Sequence, residues 1–293
     1  MKDLTERIAH IRDDQDHGSR WLVRQTIMLL HDLAREQGGA PEPQLQQVNQ
    51  TGRELAQARP VMAALAGAVR RILAAPGGLA GIAQAAEQLL EDYDQALPRI
   101  TAFARPYLRG TVMTHSLSGT VLEVLRACIP QLEALILLEG RPRYEGRTAV
   151  EELRSEALAL TLITDAQAEI FLPFCQAVVV GADTVFADGS LLNKAGTVLL
   201  ARAALGHGVP FYVLSETLKI SPQNWSGELS GLEEQSSLDV WPDPPPGVTV
   251  RNVVFDHTPA ELITAIITEQ GLLSKVDIQR QAAQLAMLDH KLT

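Results

Sequence analysis

Along the first third of the chain the apolar positions recur at helical spacing. Between residues 21 and 35, Leu22, Ile27, Leu30 and Leu33 fall near one face, and Gly38-Gly39 follows as a stop signal. Stretches 60–74 and 81–96 are rich in Ala and Leu with the same period, and Pro76-Gly77-Gly78 separates them. Nothing before Arg109 has the texture of a strand, which predicts an all-helical N-terminal domain over residues 1–109.

From residue 110 the pattern changes. Short apolar or β-branched runs at 111–114, 134–138, 160–164, 177–180, 210–214 and 253–255 alternate with amphipathic stretches at 119–127, 149–159, 166–174, 196–205 and 259–269. Continuous apolar runs between helices are the mark of a parallel sheet buried on both faces. Repeated strand–helix units with right-handed crossovers predict a Rossmann-like, doubly wound sheet over residues 110–293. The fold class is thus α/β. Residues 223–248 are rich in Ser, Pro, Glu and Asp, and read as an excursion over the surface or part of an interface. Residues 274–292 form a polar, helix-prone tail with Ile278, Ala282, Leu285 and Leu288 near one face.

Composition narrows the function. With 293 residues, 46% of them hydrophobic, the chain can bury a sizeable core. A net charge of -10 argues against a nucleic-acid surface, which needs a basic face, but leaves room for a small anion. Two cysteines without CxxC spacing, and no signal segment, point to a reducing cytoplasm. Apolar runs fall short of the ~18 residues of a membrane span. The seven His show no metal-ligand spacing, so neither a metal nor another cofactor is expected.

Five polar clusters sit where an open parallel sheet places its ligands, beyond the carboxyl ends of its strands. Asp183 ends the 177–180 run: a general acid/base or hydroxyl-binding carboxylate, or else a turn cap. Asn193-Lys194 precedes the helix expected from Gly196, whose free N–H groups and dipole, with the Lys, favour a phosphate; the plain alternative is an Asn cap and a solvated Lys. The turn Thr114-His115-Ser116-Leu117-Ser118-Gly119-Thr120 caps a helix and can also donate to an anion. Arg141, Arg143 and Arg147 crowd one loop with Glu145, either as an oxyanion clamp or as a solvated loop. Lys219, in Ser215-Glu216-Thr217-Leu218-Lys219, offers a further positive charge.

These residues resemble a known family. The run GAD-x5-G-x3-NK-x-GT, then GVPFYV and Ser-Glu-Thr-x-Lys, is similar to the family that unites the regulatory (alpha, beta, delta) subunits of translation initiation factor 2B with sugar-phosphate isomerases acting on ribose-1,5-bisphosphate and methylthioribose-1-phosphate. Ala58-Arg59-Pro60, Arg141-Pro142, Glu145-Gly146-Arg147 and Phe255-Asp256 add to it in family order. The resemblance implies a helical domain followed by a Rossmann-like one, a homodimer or larger homo-oligomer, and a phosphosugar held between the two. It implies that Arg59, Ser118, Gly119, Thr120, Asn193, Lys194 and Lys219 contact phosphate, that Asp183 is the catalytic acid, and that a substrate loop falls at His17-Gly18-Ser19-Arg20. There the isomerases have Arg-Gly-Ala, so His17 departs from them. Ser116 stands where the isomerases carry a cysteine thought to move a proton between sugar carbons. A thiol forms a thiolate near neutrality and a serine hydroxyl does not without a base, none of which is visible in sequence. Cys128, in line with Val121, Val124 and Leu125, belongs to a core face, and Cys175 reads as structural. The expectation is therefore an initiation-factor-2B-like protein that binds a phosphorylated sugar or nucleoside phosphate as a sensor or assembly module. The alternatives are an aldose–ketose isomerase using Asp183, and a translation-factor-like subunit that binds protein partners.

Overall fold

The computed structural model describes residues 3–14, 17–36, 40–227 and 232–288. Gly38-Gly39, expected to stop the first long helix, and the end of the C-terminal tail lie outside them. Five helices open the chain: α1 (Leu4–Arg12), α2 (Ser19–Arg35), α3 (Pro41–Gln57), α4 (Ala63–Leu73) and α5 (Gly78–Ala104). Leu22, Ile27 and Leu30 of α2 meet Val48 and Leu55 of α3, Leu65 and Ile72 of α4, and Ile82 and Leu89 of α5 in one core, which also takes in Leu218 from the second half of the chain. The helix expected over 81–96 continues through Pro98, because Ile100 and Ala104 bury against the sheet core beside Val112 and Leu125. That packing outweighs the hydrogen bond lost at proline.

The second half alternates β1 (Gly110–Thr114), α6 (Gly119–Cys128), β2 (Leu132–Leu138), α7 (Glu145–Leu153), β3 (Ala159–Ile163), α8 (Ala168–Phe171), β4 (Ala177–Val180), the short strands β5 (Thr184–Val185) and β6 (Leu191–Lys194), α9 (Thr197–Gly206), β7 (Phe211–Leu214), β8 (Phe255–Thr258), β9 (Ala265–Thr268), β10 (Gly271–Leu273) and α10 (Lys275–Ala286). The main sheet has the order β10-β9-β7-β4-β1-β2-β3. Every pair in it is parallel except β9–β10. Its six parallel strands therefore follow the 3-2-1-4-5-6 order of dinucleotide-binding folds, whose strand order reverses between β1 and β4 and opens a crevice there. Strands β5, β6 and β8 form a separate antiparallel sheet.

Three expectations are corrected. Residues 259–269 are not a helix: after a 3-10 turn at Ala260–Leu262 they enter β9, where Ile266 and Ile267 bury between the strands on either side. The β-branched run prefers the pleated, two-sided burial of a sheet. The strand near 253–255 is β8, which pairs with β6 outside the main sheet. The helix expected at 149–159 starts earlier, at Glu145, and ends at Leu153. Cys128 and Cys175 are buried free thiols, and burial pushes the Cys175 thiol up to about 11.

Candidate functional site

At the switch point, the end of β4 passes so close to the turn after β1 that a Cβ on Gly181 would stand 2.8 Å from the Ser118 hydroxyl. Only glycine lets the two crossover turns meet there. Two residues on, Asp183 is clamped through its backbone: its N–H donates to the Leu192 carbonyl (2.9 Å), and its carbonyl accepts from the Ala63 N–H of α4 (3.3 Å). The side chain faces a cleft of about 500 Å³ between the helical bundle and the sheet. Burial raises its carboxyl to about 6, with Lys219 and Arg59 pulling it down and Glu145 and Glu233 pushing it further up. A carboxyl raised in this way is the kind of group that suits proton transfer near neutral pH.

Two helix N-termini line this cleft. α2 starts after Gly18 without a side-chain cap among the described residues, and Ser19 and Arg20 line the wall. α6 starts after Ser118, whose hydroxyl accepts the Val121 N–H at 3.4 Å, leaving Gly119 and Thr120 on the cleft. Neither Gly18 nor Gly119 has a heavy atom within 4 Å of where a Cβ would be, so the space beside both is open. Unpaired N–H groups at the positive ends of two helices suit a doubly charged oxyanion.

The cations around them are held rather than solvated. Glu216, buried, accepts from Arg20 Nη1 (2.8 Å) and Thr120 Oγ1 (2.8 Å) and stands 3.5 Å from Lys219 Nζ. Burial works against the Glu216 charge, but Lys219, Arg20 and the Thr120 hydroxyl together hold its carboxyl below the ordinary glutamate range. Arg20 also lies over the Tyr93 ring at 4.8 Å. Arg59 donates to the Asp14 carbonyl at 2.6 Å. His17 is bonded to the Asp14 carboxylate at 2.8 Å and stacks on Trp21 with ring centres 4.1 Å apart, so this departure from the isomerase pattern shapes the cleft mouth.

Asn193-Lys194 precedes α9, as expected, and both residues line the cleft. Both residues close the strand β6 and are buried; Asn193 Nδ2 donates to Thr197 Oγ1 (3.0 Å), and Lys194 Nζ donates to Glu145 Oε1 (2.9 Å). The free N–H groups of α9 are already taken: Asp256 accepts from Gly196 (2.6 Å) and Val198 (3.2 Å). Burial raises the Asp256 carboxyl to about 6 against those hydrogen bonds. The α9 terminus therefore holds a protein carboxylate where a phosphate was expected. Asp256→Ala is expected to cost about 1–3 kcal/mol in denaturant unfolding, the usual cost of orphaned buried donors; a change under about 0.5 kcal/mol would mean the site is wet.

Ser116 lies in the turn after β1, in a left-handed conformation (φ 69°). Its hydroxyl donates to Glu145 Oε2 at 2.8 Å, so the base that sequence did not reveal comes from the first turn of α7. Of the loop arginines, Arg143 lines the cleft. Arg141 donates to the Tyr144 hydroxyl and the Val240 carbonyl, and Arg147 pairs with Glu139 and lies 3.8 Å over the Tyr144 ring, both away from the cleft lining. Arg20, Glu216, Asp14 and Gln235 complete what sequence reading missed. Of these, Arg20 and Glu216 stood inside the quoted motifs, whereas Gln235 reaches the cleft through the surface excursion, of which residues 228–231 lie outside the description.

A switch-point crevice with two helix N-termini, clustered cations and the Asp183 carboxyl defines a Rossmann-type α/β protein with a cation-rich cleft. The chain belongs to the initiation factor 2 subunit family, whose model matches residues 15–275. It is similar to ribose 1,5-bisphosphate isomerase of Archaeoglobus fulgidus, 42% identical over 167 residues that cover 56% of this chain and 53% of that protein. The match thus spans about half of that relative's length. Among solved structures it resembles the translation initiation factor eIF-2B of Pyrococcus horikoshii OT3 (TM-score 0.80, 30% identity, 93% and 97% of the two chains). It also resembles the 5-methylthioribose 1-phosphate isomerase of the same organism (TM-score 0.75, 26% identity, 98% and 88% of the two chains).

Proposed function

We propose that this chain is an aldose–ketose isomerase of a sugar 1-phosphate, with a substrate like ribose 1,5-bisphosphate, and that Asp183 handles the protons of the sugar oxygens. The observation that carries this is Asp183 itself: a carboxyl titrating near 6 at the crevice of the sheet, between a cation cluster and the Ser116–Glu145 pair. A sensor has no need of an acid tuned to donate and recover a proton near neutral pH. The isomerase names among its relatives point the same way. In this reading Lys219, Arg59, Arg20 and the α2 and α6 N-termini hold phosphate, and the protonated Asp183 gives its proton to the ring oxygen as the sugar opens.

The test is a ³¹P NMR time course with ribose 1,5-bisphosphate. Signals of ribulose 1,5-bisphosphate are expected to grow at enzyme-dependent rates; unchanged substrate at millimolar concentration overturns the reading. Ser116, standing at the position of the isomerases' cysteine, favours a second reading: an initiation-factor-2B-like module that binds the same ligand, or a nucleoside phosphate, without turning it over. Saturable binding in calorimetry with no conversion selects it.

The active form is proposed to be a homodimer or larger homo-oligomer. The support is a set of exposed apolar side chains on the outer helices, Ile170, Phe174, Leu199 and Leu205, an exposure uncommon on a monomer when contiguous. Light scattering is expected to give at least twice the 31.8 kDa chain mass; a monomer at micromolar concentration contradicts it.

A further inference from the structure

Isomerisation of a sugar 1-phosphate needs two proton carriers, one for oxygens and one for carbons. The second cannot be Ser116 alone, since its hydroxyl has no accessible anion near neutral pH. Yet the cleft is not short of a base. The Glu145 carboxylate is gripped at both oxygens, Oε2 by the Ser116 hydroxyl at 2.8 Å and Oε1 by Lys194 Nζ at 2.9 Å. Lys194 is nearly buried (5% side-chain exposure), whereas Glu145 keeps 25% and lines the same cleft as Asp183.

Its mounting is rigid. Glu145 is the first residue of α7, so the helix fixes its backbone. The next residue, Gly146, packs so tightly under the end of β2 that a Cβ there would stand 1.9 Å from the Leu138 carbonyl oxygen. Ser116 holds a left-handed backbone, a conformation that costs about 1–3 kcal/mol and is retained at functional sites. A carboxylate acid/base pair set apart by environment is a recurring device, and carboxylates abstract protons beside carbonyls in other isomerases. Asp183 and Glu145 line the same cleft of about 500 Å³, within reach of one small molecule.

We infer that Glu145 is the catalytic base that carries the proton from C2 to C1 of the sugar phosphate, and that Ser116 orients its carboxylate. This rests on the isomerase reading above. The steps balance. Protonated Asp183 gives its proton to the ring oxygen as the bond from that oxygen to C1 breaks. Glu145 takes the C2 proton, and the released electron pair forms the C1=C2 double bond of an enol phosphate. The Asp183 carboxylate then takes the proton of the C2 hydroxyl as C2 becomes a carbonyl. Finally Glu145 returns its proton to C1, and both acids end as they began.

The experiment uses ribose 1,5-bisphosphate in D₂O with ¹H and ³¹P NMR, and calorimetric binding of the same compound, on wild type, Glu145→Gln, Glu145→Asp and Ser116→Ala. Glu145→Gln is expected to lower kcat by about 10²–10⁴-fold, with affinity kept within about tenfold. Glu145→Asp keeps the charge facing Lys194, and so the fold, but withdraws the base by one methylene, with a kcat loss of about 10²-fold. Ser116→Ala leaves the base in place and loses about tenfold or less. Wild type is expected to keep part of the substrate's C2 proton at C1 in D₂O. Wild-type conversion with a Glu145→Gln kcat within about tenfold of it, or a Ser116→Ala loss equal to that of Glu145→Gln, overturns the assignment of Glu145 and leaves the isomerase reading standing. Binding without conversion by wild type overturns both.

Discussion

Asp183→Asn is expected to lower kcat on a sugar 1-phosphate by about 10²–10⁴-fold while leaving the dissociation constant nearly unchanged. The amide keeps the shape and the backbone clamp to Leu192 and Ala63, but it neither gives nor takes a proton. The same substitution is expected to stabilise the fold at neutral pH. Burial raises the carboxyl from 3.8 to about 6, so the native state binds its proton more tightly than the unfolded chain. The stability linked to that proton is complete below pH 4, is lost as pH rises through about 6, and stays lost above. Wild type therefore carries an ionised, poorly solvated acid at pH 7 at a cost on the order of 1–3 kcal/mol, reduced by water in the open cleft. Removing it trades activity for stability, the pattern of a strained functional group. Thermal unfolding at pH 5 and pH 8 checks this: the gap between variant and wild type should widen at the higher pH, and an equal gap at both contradicts the buried-acid account.

Glu216→Ala is expected to destabilise the protein by about 3–5 kcal/mol, the cost of breaking a buried ion pair and stranding its partner. One carboxylate joins Arg20 of the helical bundle, Thr120 of α6 and Lys219 after β7, with Arg20 only 27% and Lys219 4% exposed in their side chains. Its loss leaves two cations facing each other at the cleft. The carboxyl is held below its ordinary value of 4.5, so its contribution is present above that pH and fades as pH falls through the lower folded value, opposite in sign to Asp183. Inorganic phosphate or a sugar phosphate is expected to restore more of the thermal stability of Glu216→Ala than of wild type, because the anion takes over as counterion. Equal shifts in both would place the ligand away from Arg20 and Lys219.

The alternation of continuous apolar runs with amphipathic stretches was enough to read the parallel sheet, since strands buried on both faces leave little room for polar residues. The order of those strands, and so the crevice between β1 and β4, comes from tertiary pairing that the one-dimensional pattern does not carry. Helix α3 escaped because its buried positions, Val48, Thr51, Gly52 and Leu55, include a threonine and a glycine within an otherwise polar stretch. β9 was mistaken for helix because a short apolar run after a proline suits either, and only pairing with β7 and β10 decides. Asn193 and Lys194 do line the cleft, but the expectation that free N–H groups of α9 join them failed for a non-local reason. The α9 terminus is neutralised by Asp256, which lies 60 residues away in sequence and arrives through the pairing of β8 with β6. The Ser116–Glu145–Lys194 contact is illegible for the same reason: it joins the turn after β1 and the end of β6 to the start of α7.

A crystal structure with ribulose 1,5-bisphosphate bound tests the central claim most directly. The sugar should lie in the cleft with a phosphate on Lys219, Arg59 and the α2 and α6 N-termini, an Asp183 oxygen within hydrogen-bond reach of the C2 oxygen, and Glu145 facing C1 and C2. A ligand bound outside this cleft, or one turned so that Asp183 meets no sugar oxygen, would contradict it.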